Sequence, residues 1–386
     1  MSRVALLPAQ KVALREGVGR ILRQPVQAER DNPPFDRVCM DGIAVASGAF
    51  ASGTRSFRLQ GTQAAGVAPM RLAEATAAIE VMTGAVLPPG TDSVIPLEEY
   101  DLADDRLTLK AEATAEPWRN VQRRGCDSVP GVPMLTPGMR LGAAELAVVA
   151  SAGLASVQVS CQPKIAVVST GDELIEPGLP IADHQVRRSN AYAVCAALQL
   201  HGYTDVVDQH FRDDESVMRG QLGAILESRD VVVLSGGVSK GKFDFVPSAL
   251  KSLGVTELIN QVAQRPGRPM WFGIGRQNQL VFGLPGNPVS TLLCLVRYVV
   301  PALAAATGQR AREPERLAVT QAMPGRKMTY FMPVTLVDRD GTTLGEPRAP
   351  QGSGDFLALA GTDGFVELPP QPEGYPAGFV ADFCRW

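Results

Sequence analysis

The sequence predicts a multidomain protein of α/β and β type. A central three-layer α/β domain with a parallel-rich sheet is flanked by small β domains in the N-terminal half and at the C-terminus. Three observations predict it. Residues 230–245, DVVVLSGGVSKGKFDF, carry four consecutive apolar residues, Val231 to Leu234, straight into a glycine turn, and such a run without polar alternation suits a strand covered on both faces. Two further apolar runs, at 165–169 and 280–282, end the same way, in Thr170-Gly171-Asp172-Glu173 and in GLPGNPVS at 283–290. By contrast, 57–109 has short alternating runs broken by many Gly and Pro, and the β pattern returns after Ala311.

At 386 residues the chain exceeds one ordinary core. A hydrophobic content of 45% with 20% charged residues describes an ordered globular protein. The net charge of −3, with Lys and Arg scattered, gives no electrostatic case for nucleic acid as a partner. Six cysteines (Cys39, Cys126, Cys161, Cys195, Cys294, Cys384) lie far apart without a CxxC pair and beside only three histidines. That argues against a zinc site or a disulfide framework and suits a reducing, cytoplasmic setting. The stretch 4–7 is too short for a signal-peptide core, and the longest apolar stretch, 292–306, contains Arg297 and Pro301, so no membrane partner is expected.

In chain order, 8–23 spaces Val12, Val18, Ile21 and Leu22 as one helical face ended by Gln24-Pro25, which predicts a helix. NPPFDRVCMDGIAV at 32–45 forces an extended lead into the acidic turn Asp41-Gly42, although Asp-Gly is also a frequent turn dipeptide. Strands are expected at 57–59, 78–82 and 93–96, and VMTGAVLPPG at 81–90 sets Thr83 in a turn before a proline pair. NVQRRGCDSV at 120–129 reads as an exposed turn whose Arg123 and Arg124 either contact an anion or are solvated. An Ala-rich helix follows over 143–152, ending at Gly153.

Within the α/β domain we expect a helix over 189–201 with Ser189 as N-cap, a strand at 205–207, and a helix over 213–227 whose acidic start favours the helix dipole. A helix near 246–253 and a strand at 258–263 lead to QRPGRPMWFG at 264–273. Asn287 as N-cap with Pro288 in the first position then starts a long helix to Gly308. The C-terminal pattern gives strands at 317–319, 331–337 and 365–368 around the loop 351–355, as a separate small β domain.

In open α/β sheets ligands bind at the carboxyl ends of the strands, where loops converge. Glycines there let backbone N–H groups approach an anion, and an aspartate such as Asp244 can hold a hard cation or a proton. Each loop alone could equally be a tight turn with a solvated aspartate. Three such loops in one domain favour a ligand site.

Six motifs then carry a resemblance. MDG at 40–42, MTG at 82–84, STGDEL at 169–174, SGGVS at 235–239 with Asp244, RPGRP at 265–269 and GLPGNPVS at 283–290 resemble, in order and spacing, the MoeA/gephyrin E-domain family of molybdenum insertases, or molybdopterin molybdenumtransferases. The resemblance implies an elongated four-domain subunit: 1–35 with 127–162 as a dimerisation and linker domain, 36–126 as an inserted β domain, 163–309 as an α/β domain similar to the MogA-type adenylyltransferases, and 310–386 as a C-terminal β-barrel-like domain. It implies a homodimer with the site shared between subunits. The substrates it implies are molybdate and adenylylated molybdopterin (molybdopterin-AMP), with molybdenum inserted at the dithiolene, AMP released and Mg2+ assisting. A MogA-type adenylyltransferase and molybdoenzyme-maturation proteins are the implied partners.

Carried over residue by residue, the catalytic set is Asp41, Thr83, Glu173, Asp213 and Asp244, with Glu173, Asp213 and Asp244 as magnesium ligands. Substrate binding falls to Thr170, Gly171, Ser189, Asn190, Gly236, Gly237, Ser239, Pro285, Gly286, Asn287, Pro288 and Ser290. Arg265, Arg268 and Ser353 are the candidates for molybdate, a dianion that needs cationic and polar donors.

The chain departs from the family pattern at several positions. Arg37 and Val38 replace a small polar pair before Cys39-Met40-Asp41-Gly42, Glu80 stands where a basic residue is usual, and Gly125-Cys126-Asp127-Ser128 keeps an aspartate but loses a glutamate. Arg188 replaces an acidic residue just before Ser189-Asn190, Lys242 enters the segment before Asp244, and Gln261 replaces a lysine. Arg188 and Lys242 are either new anion contacts or surface changes. A carrier that binds the pterin without turnover, and a scaffold on the same fold, are the alternatives to an insertase; retention of Asp41, Thr83, Glu173, Asp213 and Asp244 together favours chemistry.

Overall fold

The computed structural model describes residues 3–212, 214–237, 246–352 and 354–386; Asp213, Ser239, Lys242, Asp244 and Ser353 lie outside the described residues. The chain is a multidomain α/β protein with a central, mostly parallel six-stranded sheet and β-rich regions on either side of it in sequence. Numbered within the central domain, the strands are β1 Ile165–Thr170, β2 Val206–Phe211, β3 Val231–Ser235, β4 Thr256–Asn260, β5 Trp271–Ile274 and β6 Leu280–Leu284. Its helices are α1 Ser189–Leu200, α2 Glu215–Ser228, α3 Val246–Ser252 and the long α4 Pro288–Ala306. The strand order is β2-β1-β3-β6-β5-β4, and only β5 runs against its neighbours.

Every residue of β1, β3 and β6 is buried, which is why their sequences lack polar alternation. Successive side chains still alternate between two cores. Ile165, Val167, Val231, Val233, Leu280 and Phe282 pack with α1 and α4, whereas Ala166, Val168, Val232, Leu234 and Val281 pack with α2 and α3. Helix α4 is long and apolar enough to cross a bilayer, but Leu293, Leu295, Val299 and Leu303 are wholly buried in the first of these cores. Its middle, Leu295–Val299, is a π turn, and Pro301 sits at the start of the α-helical segment that follows.

The N-terminal half holds a six-stranded sheet from 42 to 109 with its own core around Ile43, Phe57 and Ile95. Residues on both sides of that sheet, Leu22 and Val26 with Leu141, Val149 and Val159, form another core. The C-terminal sheet has a core around Val334, Val366 and Tyr375 and is tied to the central domain in three ways. Gln264–Arg265 pairs in parallel with Thr329 and Tyr330; Phe331 and Phe365 enter the first α/β core; and Arg297 Nε meets Glu367 Oε2 at 2.8 Å.

Four sequence expectations need correction. Residues 8–23 do not form a helix: Ala9–Ala13 is a strand paired with Ser156–Ser160, Val12 opposite Val157, followed by a single 3-10 turn at Leu14–Gly17. Gly19, left-handed at φ 72°, stops any continuation, and the apolar residues face a sheet partner far away in sequence. Ser189 is the first residue of α1 and not its cap. Arg188 holds the cap position at ψ 54°, its side chain turned inward. Helix α2 starts at Glu215 and not at 213, with the expected acidic start: Asp214 caps it, its Oδ1 accepting the N–H groups of Ser216 and Val217. The strand placed at 258–263 is Thr256–Asn260, ended by Gln261 at φ 70°.

Candidate active site

Strands β1, β3 and β6 are adjacent and in register, Ser169 beside Ser235 and Ser235 beside Leu284, so their three loops open at one level. Gly236 and Gly237 take φ of 94° and 68°, and a Cβ on Gly237 would lie 2.8 Å from Val246 and 2.9 Å from Thr170 Oγ1. Conformation and room both require glycine there. The loops surround a cavity of about 390 Å3, and of the residues singled out from sequence Thr170, Glu173, Ser189, Asn190, Gly236, Gly286 and Pro288 line it. Gly171 and Gly237 follow Thr170 and Gly236 in the chain but do not themselves line it.

Asn190, in the first turn of α1, ties this wall together. Its Nδ2 donates to Ser235 Oγ at 3.0 Å and to the Gly286 carbonyl at 2.7 Å. Its Oδ1 is buried without a partner among the described residues, an acceptor that a bound ligand's N–H or O–H would satisfy. Glu173 is held by its backbone: its carbonyl accepts the Val186 N–H at 2.9 Å. Its carboxylate lies over Gly171, where a Cβ would approach Oε2 to 2.5 Å. His210 Nε2 meets the Gly171 carbonyl at 2.9 Å and, facing a carbonyl, must be the donor.

Arg188 also lines this cavity, yet its donors point into the protein. Nε donates to Ser169 Oγ at 2.9 Å, Nη1 to Glu176 Oε2 at 2.6 Å and Nη2 to Asp208 Oδ1. Glu176 also accepts the Tyr192 hydroxyl, and that bond, followed by Arg188, holds its carboxyl below the usual range despite some desolvation. The side chain is only 8% exposed, so Arg188 is neither a surface change nor a free anion contact; it clamps the 176–188 segment to β1 and β2.

A second cavity, also about 390 Å3, adjoins the first across 285–288. Arg265, Arg268, Pro285, Asn287 and Ser290 line it, together with Tyr330 of the C-terminal sheet. Gly352 lines this cavity and Gly354 the first. Among the described residues neither arginine has a carboxylate partner, which leaves two uncompensated cations facing one space. Asn287 caps α4 with its backbone, its side chain making no capping bond, and Pro288 holds the first helical position.

Asp41 and Thr83 sit at the ends of N-terminal sheet strands, Asp41 just before Gly42–Val45 and Thr83 in the turn after Ala77–Val81, and line neither cavity of their own chain. Asp41 Oδ1 accepts the Thr83 N–H at 2.6 Å and its hydroxyl at 2.7 Å, and these bonds, the backbone one first, hold the carboxyl below its usual range. Gly42 next to it is required by packing, since a Cβ would lie 2.1 Å from the Ile95 carbonyl oxygen across the strand pair. No group of three His, Cys, Asp or Glu side chains gathers among the described residues.

The sequence reading missed Glu176, Tyr192, Asp208 and His210 around the first cavity, and Gln264, Tyr298 and Tyr330 around the second. Only Tyr298 left a trace in the sequence, as a polar group beside Arg297 in the otherwise apolar run 292–306.

A doubly covered parallel sheet ending in three glycine loops, with a cationic cavity beside them and β sheets on either side in sequence, defines a multidomain α/β protein whose cavities suit an anionic ligand. Residues 1–153 match the MoeA N-terminal region (domain I and II), 166–305 a probable molybdopterin binding domain, and 318–386 the MoeA C-terminal region (domain IV). The chain belongs to the MoeA family. It is 40% identical to the molybdopterin molybdenumtransferase of Synechocystis, covering 95% of this chain and 93% of that one. It is 28% identical to that of a Staphylococcus aureus strain, covering 99% and 92%. A crystal structure of a molybdopterin biosynthesis moeA protein from Pyrococcus horikoshii superposes over 100% of this chain and 96% of that one, with a TM-score of 0.79 at 28% identity.

Proposed function

We propose that this chain is a molybdopterin molybdenumtransferase of molybdenum cofactor biosynthesis, taking adenylylated molybdopterin and molybdate, setting molybdenum at the dithiolene and releasing AMP. One observation carries the reading: a glycine-loop cavity and a cavity with two arginines that have no carboxylate partner among the described residues meet across 285–288. The pterin nucleotide carries phosphates, which the backbone at Gly286 can meet without bulk, while the Gly236 N–H is engaged by the Leu284 carbonyl at 3.4 Å. The orphaned Oδ1 of Asn190 suits a donor on the same ligand. Molybdate is a tetrahedral dianion, and Arg265 and Arg268 offer fork-shaped donors with permanent charge.

Magnesium dependence fits the first cavity. Mg2+ is commonly held by one or two carboxylates plus substrate phosphates, and Glu173 supplies one carboxylate there. When bound, the ion neutralises charge on the leaving phosphate. Asp213 and Asp244 as further ligands, and Ser353 toward molybdate, belong to the same proposal. So does a homodimer in which Asp41 and Thr83 of one subunit complete the cavity of the other, supported by their absence from both cavities of their own chain. The substrate requires an adenylyltransferase upstream, and the product is consumed by molybdoenzyme maturation in the cytoplasm.

Binding titrations test the two-cavity assignment. Asn190→Ala should weaken the pterin nucleotide by about tenfold while leaving molybdate unchanged, and Arg268→Ala should do the reverse, a lost charged or buried contact being worth roughly 1.5 kcal/mol. Equal loss of both ligands in both variants would contradict it. For the shared site, mixing inactive Asp41→Ala and Glu173→Gln subunits should restore part of the activity; no restoration in a verified mixed dimer would contradict it.

A further inference from the structure

The RPGRP loop at 265–269 carries both cavity arginines, yet its two prolines have no N–H and leave it few donors of its own. Gln264 supplies what is missing. It is 2% exposed, and its Nε2 donates to the carbonyls of Pro266 at 3.1 Å and Gly267 at 3.4 Å. Its Oε1 accepts the hydroxyl of Tyr298. Two carbonyls facing one end of the amide and a hydroxyl at the other leave a single consistent orientation for the side chain. Tyr298 stands on the π turn of α4, and burial pushes its hydroxyl up to about 12, so it remains a donor at any working pH.

Packing closes the arrangement. Gly267, at φ 93°, lies so near that a Cβ would meet Cys294 Sγ at 2.6 Å and Gln264 Nε2 at 2.8 Å. Cys294 comes from the same helix, one turn before Tyr298. From the other side, Gln264 and Arg265 pair with Thr329 and Tyr330. The loop is thus pinned between α4 and the C-terminal sheet through one buried amide.

We propose that Gln264 and Tyr298 are positioning residues that hold the 265–269 loop in its oxyanion-binding conformation, so that Arg265 and Arg268 are set for molybdate before it arrives. This rests on the reading of the second cavity given above. Neither residue touches the anion; they act through the backbone that carries the arginines. Preorganisation of this kind appears in the affinity for the ligand the loop holds and not in affinity for the neighbouring one.

The test uses the full-length protein with Gln264→Met, which keeps the volume and removes the amide, and Tyr298→Phe, which removes one hydroxyl. Steady-state KM for molybdate, KM for adenylylated molybdopterin and kcat are measured, with hydrogen exchange at Gly267 and Arg268. Gln264→Met should raise the molybdate KM about tenfold and Tyr298→Phe about threefold, each with kcat and the pterin KM within twofold, and exchange at both amides should quicken. An unchanged molybdate KM in both variants, while Arg268→Ala raises it, overturns the proposal. A parallel loss of all constants, tracking a loss of stability, also overturns it, because the role is then merely structural. Should Arg268→Ala itself leave the molybdate KM unchanged, the oxyanion reading of the cavity fails, and exchange at Gly267 and Arg268 alone then decides whether Gln264 holds the loop.

Discussion

Oδ1 of Asp41 receives both the backbone N–H and the side-chain hydroxyl of Thr83, at 2.6 Å and 2.7 Å, so that two motifs 42 residues apart in sequence share one carboxylate oxygen. Both bonds favour the ionised form, which leaves Oδ2 as an exposed anionic acceptor. Thr83→Val keeps the backbone bond and removes the hydroxyl, so the Asp41 pKa should rise toward, without reaching, the usual 3.8. Because the folded-state pKa is the lower one, any stability linked to this group is present above the ordinary Asp value and lost as pH falls through the depressed one. Carboxyl-carbon NMR titration reads the shift; no change in Thr83→Val would contradict the hydroxyl's share.

Arg188 is a buried cation with two carboxylate partners, and removing it leaves Glu176 and Asp208 facing each other's charge. Arg188→Ala should cost about 2 kcal/mol in urea denaturation, below the usual range for a buried pair because both carboxylates are about a third exposed to water. Adding Asp208→Asn should recover part of the loss. Additive losses would show that the clamp is not a unit.

That clamp marks where the sequence stopped being readable. The apolar runs of β1, β3 and β6 announced a covered parallel sheet because their burial is a local property of the composition. The glycine loops were legible for the same reason, each following its strand directly. Arg188 was legible only as a departure from a pattern, since the partners that fix its direction, Glu176 and Asp208, come from a loop and from the edge strand. The 8–23 segment misled because its apolar spacing is compatible with a helix, while Ser156–Ser160, its strand partner, lies over 140 residues away. Gln264 gave no signal at all; a glutamine before Arg-Pro-Gly reads as solvated until the sheet pairing with Thr329 and Tyr330 buries it.

Two loop glycines, Gly237 behind the first cavity and Gly286 on its wall, should respond oppositely to a methyl group. Gly237→Ala meets Val246 and Thr170 Oγ1 inside 3 Å at a positive φ and should destabilise the fold by about 2 kcal/mol or more. Gly286→Ala meets only Gly236 Cα, at 3.6 Å, so stability should stay within about 0.5 kcal/mol. Its methyl instead obstructs the approach of a phosphate to the backbone and should weaken pterin nucleotide binding. Thermal denaturation paired with a binding titration separates the two; a destabilised Gly286→Ala with intact binding would contradict the assignment.

The cysteines should sort by environment. Burial pushes the thiols of Cys195 and Cys384 up to about 11 and that of Cys294 up to about 12, whereas Cys39 and Cys126 are exposed. Alkylation at pH 8 followed by mass spectrometry should therefore label Cys39 and Cys126 first and leave Cys294 unmodified until the chain unfolds. Early labelling of Cys294 would mean that the helix–loop packing around Gln264 opens in the native protein.

The most direct test of the central claim is AMP release from adenylylated molybdopterin by the purified protein in the presence of magnesium, with and without molybdate, beside a Glu173→Gln variant. Molybdate-stimulated release by the native chain, lost in the variant while pterin nucleotide binding persists, is the predicted result. Tight binding of the nucleotide by the native chain without AMP release, at any molybdate concentration, would contradict an insertase and leave a carrier built on the same fold.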